Sequence, residues 1–473
     1  MKTRALVGWL LLPVVLVSCT VGPDYRAPVA EQIAPADWHW KPAEPGDAMP
    51  KGEWWRLFND PVLNGLETNA LAGNQNLRAA VARVDQARAA ARITRSQFFP
   101  ELSLDPSLNR ERYSGNQPLP FPVRLRPVYL DTYNVPLDLS YEVDLWGRVR
   151  RSFESARSQA QATAADTENI LLTLTADVAA NYFLLRALDA ETSAVSRTLQ
   201  SREDTVRILQ ARFEAGTVPE IDVAQAKSDL GVTRADLADV QRQRAETLDA
   251  LAVLCGQMAS TFSVAESPLT GAPPAVPAGL PSSVLERRPD VAAAERTLAS
   301  KNAEIGAARA AYFPVVRLTG QGGFLSGRAS DLFTMDSLTF AYGPGVSLPL
   351  FTGGRTKAQV AQAGYAYQEA LANYHQTALT AFKEVEDSLA EITLYAKQAD
   401  AVVDALASAH RATELTRARY EAGALTELEV VISQRSELQL ERQAAQIAGS
   451  RYAATTRLVK ALGGGWDGVE KAK

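Results

Sequence analysis

From Tyr133 to Leu145 the chain alternates without a miss: Tyr133, Val135, Leu137, Leu139, Tyr141, Val143 and Leu145 are apolar, and the residues between them are polar or proline. A period of two predicts a strand with one apolar and one polar face. Leu102, Leu104 and Leu108 stand against Ser103, Asp105, Ser107 and Asn109 in the same way. Val316, Leu318 and Phe324 mark a third segment, and Leu338, Phe340, Tyr342, Val346 and Leu348 a fourth. Strands are therefore expected at about 100–113, 132–145, 314–325 and 338–350, each close to the length a tilted strand needs to cross a bilayer. A half-buried soluble hairpin would alternate identically. Four strands leave two open edges, which hydrocarbon does not tolerate, and the smallest membrane barrels have about eight strands. Three copies would supply about twelve, so a three-fold oligomer solves the edge problem.

The rest of the pattern is helical. No proline interrupts Arg148 to Phe213, a stretch worth roughly 100 Å if helical throughout. Leu171, Leu174, Val178, Tyr182 and Leu185, then Val206, Leu209 and Phe213, recur at spacings of three and four, the seam of a packed coiled coil. Arg, Glu, Gln, Asp and Thr fill the other faces, which excludes a helical membrane span.

Compared with itself, the chain shows a duplication. Arg212-Phe213-Glu214-Ala215-Gly216 recurs as Arg419-Tyr420-Glu421-Ala422-Gly423, and Glu220-Ile221-Asp222-Val223 as Glu427-Leu428-Glu429-Val430. Phe99-Pro100 pairs with Phe313-Pro314, and Gly147-Arg148 with Gly354-Arg355. Each half reads helix, strand, strand, long helix, tight turn, helix. The first helix starts at Asp60-Pro61, an N-cap followed by proline at the first helical position, and runs to about Gln97; the second half opens similarly at Arg288-Pro289. The predicted division is 60–262 and 287–462 for the two repeats, with a Pro- and Gly-rich connector at 263–286 and a tail at 463–473.

Lys2 and Arg4 precede an apolar run from Ala5 to Val17, too short to span a bilayer but suited to a signal peptide over 1–18. The run ends Leu16-Val17-Ser18-Cys19, which resembles a lipobox. Cleavage there would leave Cys19 as a lipid-modified N-terminus for the segment 19–59, with Thr20 in second place compatible with the outer membrane; the alternative is an ordinary signal peptide that happens to contain a cysteine. The one other cysteine, Cys255, sits in an apolar helical stretch and reads as a buried small hydrophobe. A net charge of −5 argues against nucleic acid, which needs a concentrated basic face.

Several marks together resemble the TolC-like outer-membrane factors of Gram-negative bacteria, in their OprM-like or NodT-like lipoprotein branch. They are Cys19-Thr20-Val21-Gly22-Pro23-Asp24-Tyr25, Trp54-Trp55-Arg56-Leu57-Phe58-Asn59-Asp60-Pro61, Leu285 to Val291, Ile305-Gly306-Ala307-Ala308-Arg309 leading to Phe313-Pro314, and Leu462-Gly463-Gly464-Gly465-Trp466. The resemblance implies a mainly α chain with a small β part, one third of a homotrimer with a twelve-stranded outer-membrane barrel and a long periplasmic helical barrel. It also implies a periplasmic adaptor and an inner-membrane pump as partners, with the chain a passive exit duct.

By the same resemblance the turns at 214–219 and 421–426 lie at the periplasmic tip, with Gly216 and Gly423 serving turn geometry. Asp222 and Glu429 match the position of acidic gate residues, and a ring of three carboxylates can select or gate. Ile432 stands where TolC has a second aspartate, which departs from a two-ring gate. Thr217-x-x-Glu220 and Thr426-x-x-Glu429 also fit capping boxes, so Glu429 reads equally as a cap or a gate.

No enzyme signature appears. His39, His375 and His410 lack ligand spacing, Gly320 to Gly323 leads on to a strand and not to a helix, and Gly353 to Lys357 lacks Walker spacing, so no cofactor or metal is expected beyond the lipid on Cys19. A non-conducting periplasmic coiled-coil lipoprotein or adaptor is the competing reading; it would need the helices and lipobox but not the strands.

Overall fold

The computed structural model describes residues 20–28, 52–114, 127–269, 271–276 and 288–464; the expected signal peptide, Cys19 and the Pro-rich segment at 115–126 lie outside them. Twelve elements form the framework. They are α1 (Pro61–Gly73), α2 (Gln75–Ser96), β1 (Glu101–Leu104), β2 (Ser107–Tyr113), β3 (Val128–Val143), α3 (Arg148–Glu214), α4 (Glu220–Leu254), α5 (Pro289–Ala310), β4 (Val315–Ser326), β5 (Leu338–Ser347), α6 (Arg355–Glu421) and α7 (Glu427–Ala461). Contacts group the strands and adjoining helix ends into one unit and the remaining helices into another.

The duplication is exact in length over the helices. α3 and α6 each have 67 residues, and α4 and α7 each have 35. Arg148 and Arg355, Gly216 and Gly423, and Glu220 and Glu427 all stand 207 positions apart. Upstream, Gln75 and Pro289, which open the 22-residue helices α2 and α5, stand 214 apart. The seven-residue difference falls between these helices and α3 or α6, in the strand region.

Four sequence expectations need correction here. The helix predicted from Asp60 to Gln97 is two helices, because Asn74 leaves helical geometry at ψ 123° and its side chain caps α2 through the Leu77 N–H at 2.9 Å. The counterpart of Pro289 is therefore Gln75, not Pro61. The first predicted strand is likewise split at Asp105-Pro106, since proline supplies no ladder N–H. β3 starts at Val128, earlier than expected, and β5 ends at Ser347.

In the helical unit Trp54, Leu63, Ala70, Val178, Tyr182, Leu185 and Leu251 form the main core. Asp60 ties its edge. Its Oδ1 accepts the Val62 and Leu63 N–H groups at 2.8 and 3.1 Å, and its Oδ2 accepts the Tyr182 hydroxyl at 2.5 Å. Trp54 donates its indole N–H to Thr175 Oγ1 at 3.1 Å, and Phe58, Phe183 and Tyr452 stack with centroids 4.5 to 5.9 Å apart. The predicted α3 seam is buried at Leu174, Val178, Tyr182, Leu185 and Leu209, whereas Phe213 is exposed. Between Leu172 and Val195 burial extends well beyond one seam, so packing inside protein explains the apolar character of this part of the helix.

Glu67 breaks the pattern. It is fully buried beside Leu63, Leu66 and Ala70, and neither carboxyl oxygen has a hydrogen-bond partner among the described residues. Burial pushes its carboxyl from 4.5 up to about 9. The folded protein therefore holds it protonated, while the unfolded chain ionises above pH 4.5. This penalty is absent below about 4.5 and grows with pH until about 9. We expect Glu67→Gln to be more thermostable than wild type at pH 7 by up to about 3 kcal/mol, and to match it near pH 4. Equal melting temperatures at pH 8 would contradict the assignment.

Candidate functional site

The sheet runs in the order β1/β2, β3, β4, β5, antiparallel throughout. Its register places Leu102 opposite Leu139, Leu104 opposite Leu137, Leu108 opposite Tyr133, Phe324 opposite both Val135 and Leu338, Leu318 opposite Tyr141, and Val316 opposite Val143 and Val346. Cross-strand partners share a face, so all these residues form one apolar surface. It also carries Phe340 and Tyr342, which are 71% and 84% exposed, as a surface facing a non-aqueous solvent requires. The apolar run on β3 covers Tyr133 to Val143, or roughly 35 Å of strand and about 25–29 Å once tilted, close to the band of a membrane barrel.

The other face is polar. Gln321 donates to Asp138 at 2.9 Å, and Arg148 binds Glu142 through two bonds of 2.6 and 3.0 Å. On β5 this face carries only Thr339, Ala341, Gly343, Gly345 and Ser347. At the end leading into the helices Trp146 stacks on Phe313 at 4.7 Å and donates to the Pro314 carbonyl at 2.8 Å. Such aromatic residues suit a membrane–water boundary. β5 and the β1/β2 edge each pair on one side only.

The second candidate region is the pair of helical turns. Gly216 and Gly423 take φ of +71° and +75°. In each turn the glycine N–H and the next N–H bond back into the last helical turn, to Phe213 and Arg212 in one case and to Tyr420 and Arg419 in the other, at 2.9 Å throughout. This is the Schellman stop, and its left-handed residue is why glycine stands there.

The two carboxylates diverge. Glu429 accepts the Thr426 backbone N–H at 3.1 Å and contacts its hydroxyl, completing a capping box at the start of α7. The hydrogen bond from Thr426 holds its carboxyl below the usual value. The box predicted at Thr217 and Glu220 does not form. The residue equivalent to Thr426 is Pro219, which caps α4 without any side-chain bond, while the Thr217 hydroxyl donates to Arg212 O at 2.8 Å. Proline has no N–H to offer, so Asp222 is excused from capping.

Sequence reading missed the side chains that join the two helix pairs. Arg212 donates to the Tyr420 hydroxyl at 3.1 Å, Arg442 to Glu191 at 2.6 Å, Arg197 to Glu441 at 3.1 Å, and Arg435 pairs with the buried Asp229. Near the turns Arg197, Asp204, Arg212, Arg417, Tyr420 and Glu427 line a cleft of about 600 Å³. Burial raises the Glu427 carboxyl, and burial with the nearby Glu427 raises the Tyr420 hydroxyl. These residues leave no trace in hydrophobic periodicity, because they are polar positions on mostly solvated faces. The matching arginine-aromatic pair in the repeated motif was the one available signal. Among the described residues no cluster of His, Cys, Asp and Glu could hold a metal ion, and Cys255 is buried with its thiol pushed up to about 11 by burial.

The model of the outer membrane efflux protein family matches residues 66–257 and again 280–464. The chain belongs to the outer membrane efflux protein family. The two matches coincide with the duplication. It is 34% identical to the pyoverdine export outer membrane protein OpmQ of Pseudomonas aeruginosa, over 98% of this chain and 97% of that one. It is equally 34% identical to the toluene efflux pump outer membrane protein TtgI of Pseudomonas putida, over 98% and 99%. Among solved structures the outer-membrane channel OprN aligns at 30% identity with a TM-score of 0.82, covering 95% of this chain and all of that one. The CmeC outer membrane channel of Campylobacter jejuni aligns at 26% and 0.85, covering 96% of each. The fold is that of the TolC-like channels.

Because only Glu429 acts as a cap, Glu429→Ala should speed amide hydrogen exchange over residues 427–431 several-fold, whereas Asp222→Ala should leave exchange over 220–224 unchanged. Equal acceleration at both helix starts would contradict this division of roles.

Proposed function

We propose that this chain is the outer-membrane channel subunit of a tripartite efflux system. Three copies close one twelve-stranded barrel, and the long helices form a duct across the periplasm to an adaptor and an inner-membrane pump. The observation that carries the reading is the sheet: apolar over eleven residues on one face, polar on the other and open at both edges. Hydrocarbon tolerates such a sheet only inside a closed barrel. A non-conducting coiled-coil lipoprotein has no use for these strands. The chain supplies a passage and the pump supplies the energy. Relatives are named for pyoverdine, solvent, toluene and antibiotic export, so this fold serves varied small molecules rather than one cargo.

Cys19 carries the lipid. Support comes from the residues that follow it. Val21 donates to the Trp146 carbonyl at 3.0 Å, Asn302 donates to the Pro23 carbonyl at 3.0 Å, and Arg151 binds Asp24 at 2.6 Å. Gly22 crosses Gly306 so closely that a Cβ would lie 2.5 Å from the Gly306 Cα. This strap brings Thr20 to the strand–helix junction of Trp146, where an acyl chain one residue away would enter the inner half of the bilayer.

Asp222, three times per trimer, forms a ring at the closed end of the duct and helps hold it shut, with Glu429 contributing less because it is engaged as a cap. Gly216 and Gly423 shape the turns that meet the adaptor.

Reconstituted in planar bilayers, the purified protein should run as a heat-modifiable, detergent-requiring trimer with a low resting conductance, and Asp222→Ala should raise that conductance several-fold. A water-soluble monomer would sink the channel reading, and an unchanged conductance would sink the gate. Cys19→Ser should abolish incorporation of radiolabelled palmitate while sparing the fold; continued labelling would place the lipid elsewhere.

A further inference from the structure

The apolar face of the sheet ends abruptly. Leu108 and Tyr133 form its last apolar cross-strand pair, the next pair on the same face is Arg110 with Asp131, and the next again is Arg112 with Tyr129. β4 stops at Ser326, opposite Tyr133, so β2 and β3 continue beyond it as a two-stranded ribbon. Val143, at the other end of β3, leads into α3, so this ribbon lies at the end of the sheet away from the helices. Arg110 is 69% exposed and lies 3.4 Å from Asp131, and its guanidinium stands 5.4 Å from the Tyr129 ring centroid. Arg112 stands 6.0 Å from the same centroid and has no carboxylate partner among the described residues. Two cations and one anion thus occupy this face, one and two register steps past the hydrocarbon band.

We infer that Arg110, Arg112 and Tyr129 form a docking surface for the phosphate groups of anionic lipid in the outward-facing leaflet. The inference rests on the barrel reading above, which turns this face toward lipid. Height decides the chemistry. Successive same-face pairs are separated by two residues, about 6–7 Å of strand, so Arg110 sits where headgroup phosphates begin and Arg112 just beyond. Arginine forks match phosphate oxygens, and the tyrosine ring keeps both side chains near the band edge while suiting the interface itself. Asp131 orients Arg110 and leaves Arg112 as the unmatched charge.

The test uses the purified trimer in dodecyl maltoside and two probes, diphosphoryl lipid A and the same lipid with both phosphates removed, read by native mass spectrometry. Wild type should retain the phosphorylated form in clear preference, less so at high salt. Arg110→Gln with Arg112→Gln should weaken that preference roughly thirtyfold while keeping a conducting trimer. Arg83→Gln with Arg92→Gln, which removes two exposed arginines of α2, should change nothing. A conducting wild-type trimer with no phosphate preference, or a preference that survives the double substitution, overturns the proposal alone. Loss of trimer stability without any lipid preference would assign the two arginines to the neighbouring copy and overturn it as well. A chain that forms no detergent-requiring trimer overturns this proposal together with the barrel reading.

Discussion

Backbone hydrogen bonding at the edges of one small sheet constrains this protein more than any side chain does. Inside the chain every internal strand is paired, but β5 and the β1/β2 edge each present a row of N–H and C=O groups on one side. In water such edges are a hazard for aggregation; in hydrocarbon each unmet group costs several kcal/mol, of order. The exposed side chains say which solvent applies. Phe340, Tyr342 and Val346 lie largely uncovered on the same face as Leu102, Leu104, Leu137 and Leu139. A sheet that displays these residues and leaves its edges open is what the proposed three-copy barrel requires of each copy.

The duplication shows which dimensions the two halves hold in common. Long helices and return helices match residue for residue at a constant separation of 207, while the strand region absorbs a seven-residue difference. In the proposed helical wall, two hairpins that end at the same height could not differ in length without misplacing their turns. The outer part of the strand region has no such obligation, and β3 accordingly runs to 16 residues where β5 has 10. The Schellman stops reinforce the length match, since a left-handed glycine ends each long helix at an equivalent residue.

Features encoded by periodicity or by backbone geometry were legible in the sequence. Strict alternation in β3, the unbroken run of α3 and the turn glycines each rest on one local rule, and the structure places all three accordingly. The helix break at Asn74 was also written locally, as Gly73-Asn74, but the Ala-rich pattern on both sides concealed it. What escaped were features that depend on register between distant segments. Pairing Thr217 with Thr426 by motif shape, rather than Pro219 with Thr426 by constant offset, put a capping box where none forms. The buried carboxyl of Glu67 and the links through Arg435, Arg442 and Arg212 depend on which helix faces which, and a single sequence does not state that. The extensive burial of α3 near Tyr182 has the same origin, since it needs the Trp54 segment, α4 and α7 together.

The difference between Pro219 and Thr426 carries the last step. Duplication initially gives two equivalent turns the same residues and the same capping needs. Where threonine precedes the helix, its N–H claims the acid at the third helical position, and Glu429 is held against its own backbone. Where proline precedes the helix, there is no N–H to satisfy, and proline also fixes its own φ, so the helix start is preorganised without an acid. Asp222 is then free of the capping duty at a position the repeat supplies in any case. A carboxylate retained where capping does not require it, three times around a proposed common axis, is available to repel its copies or to bind a cation between them. One proline thus separates two sites that the repeat would otherwise have made equivalent.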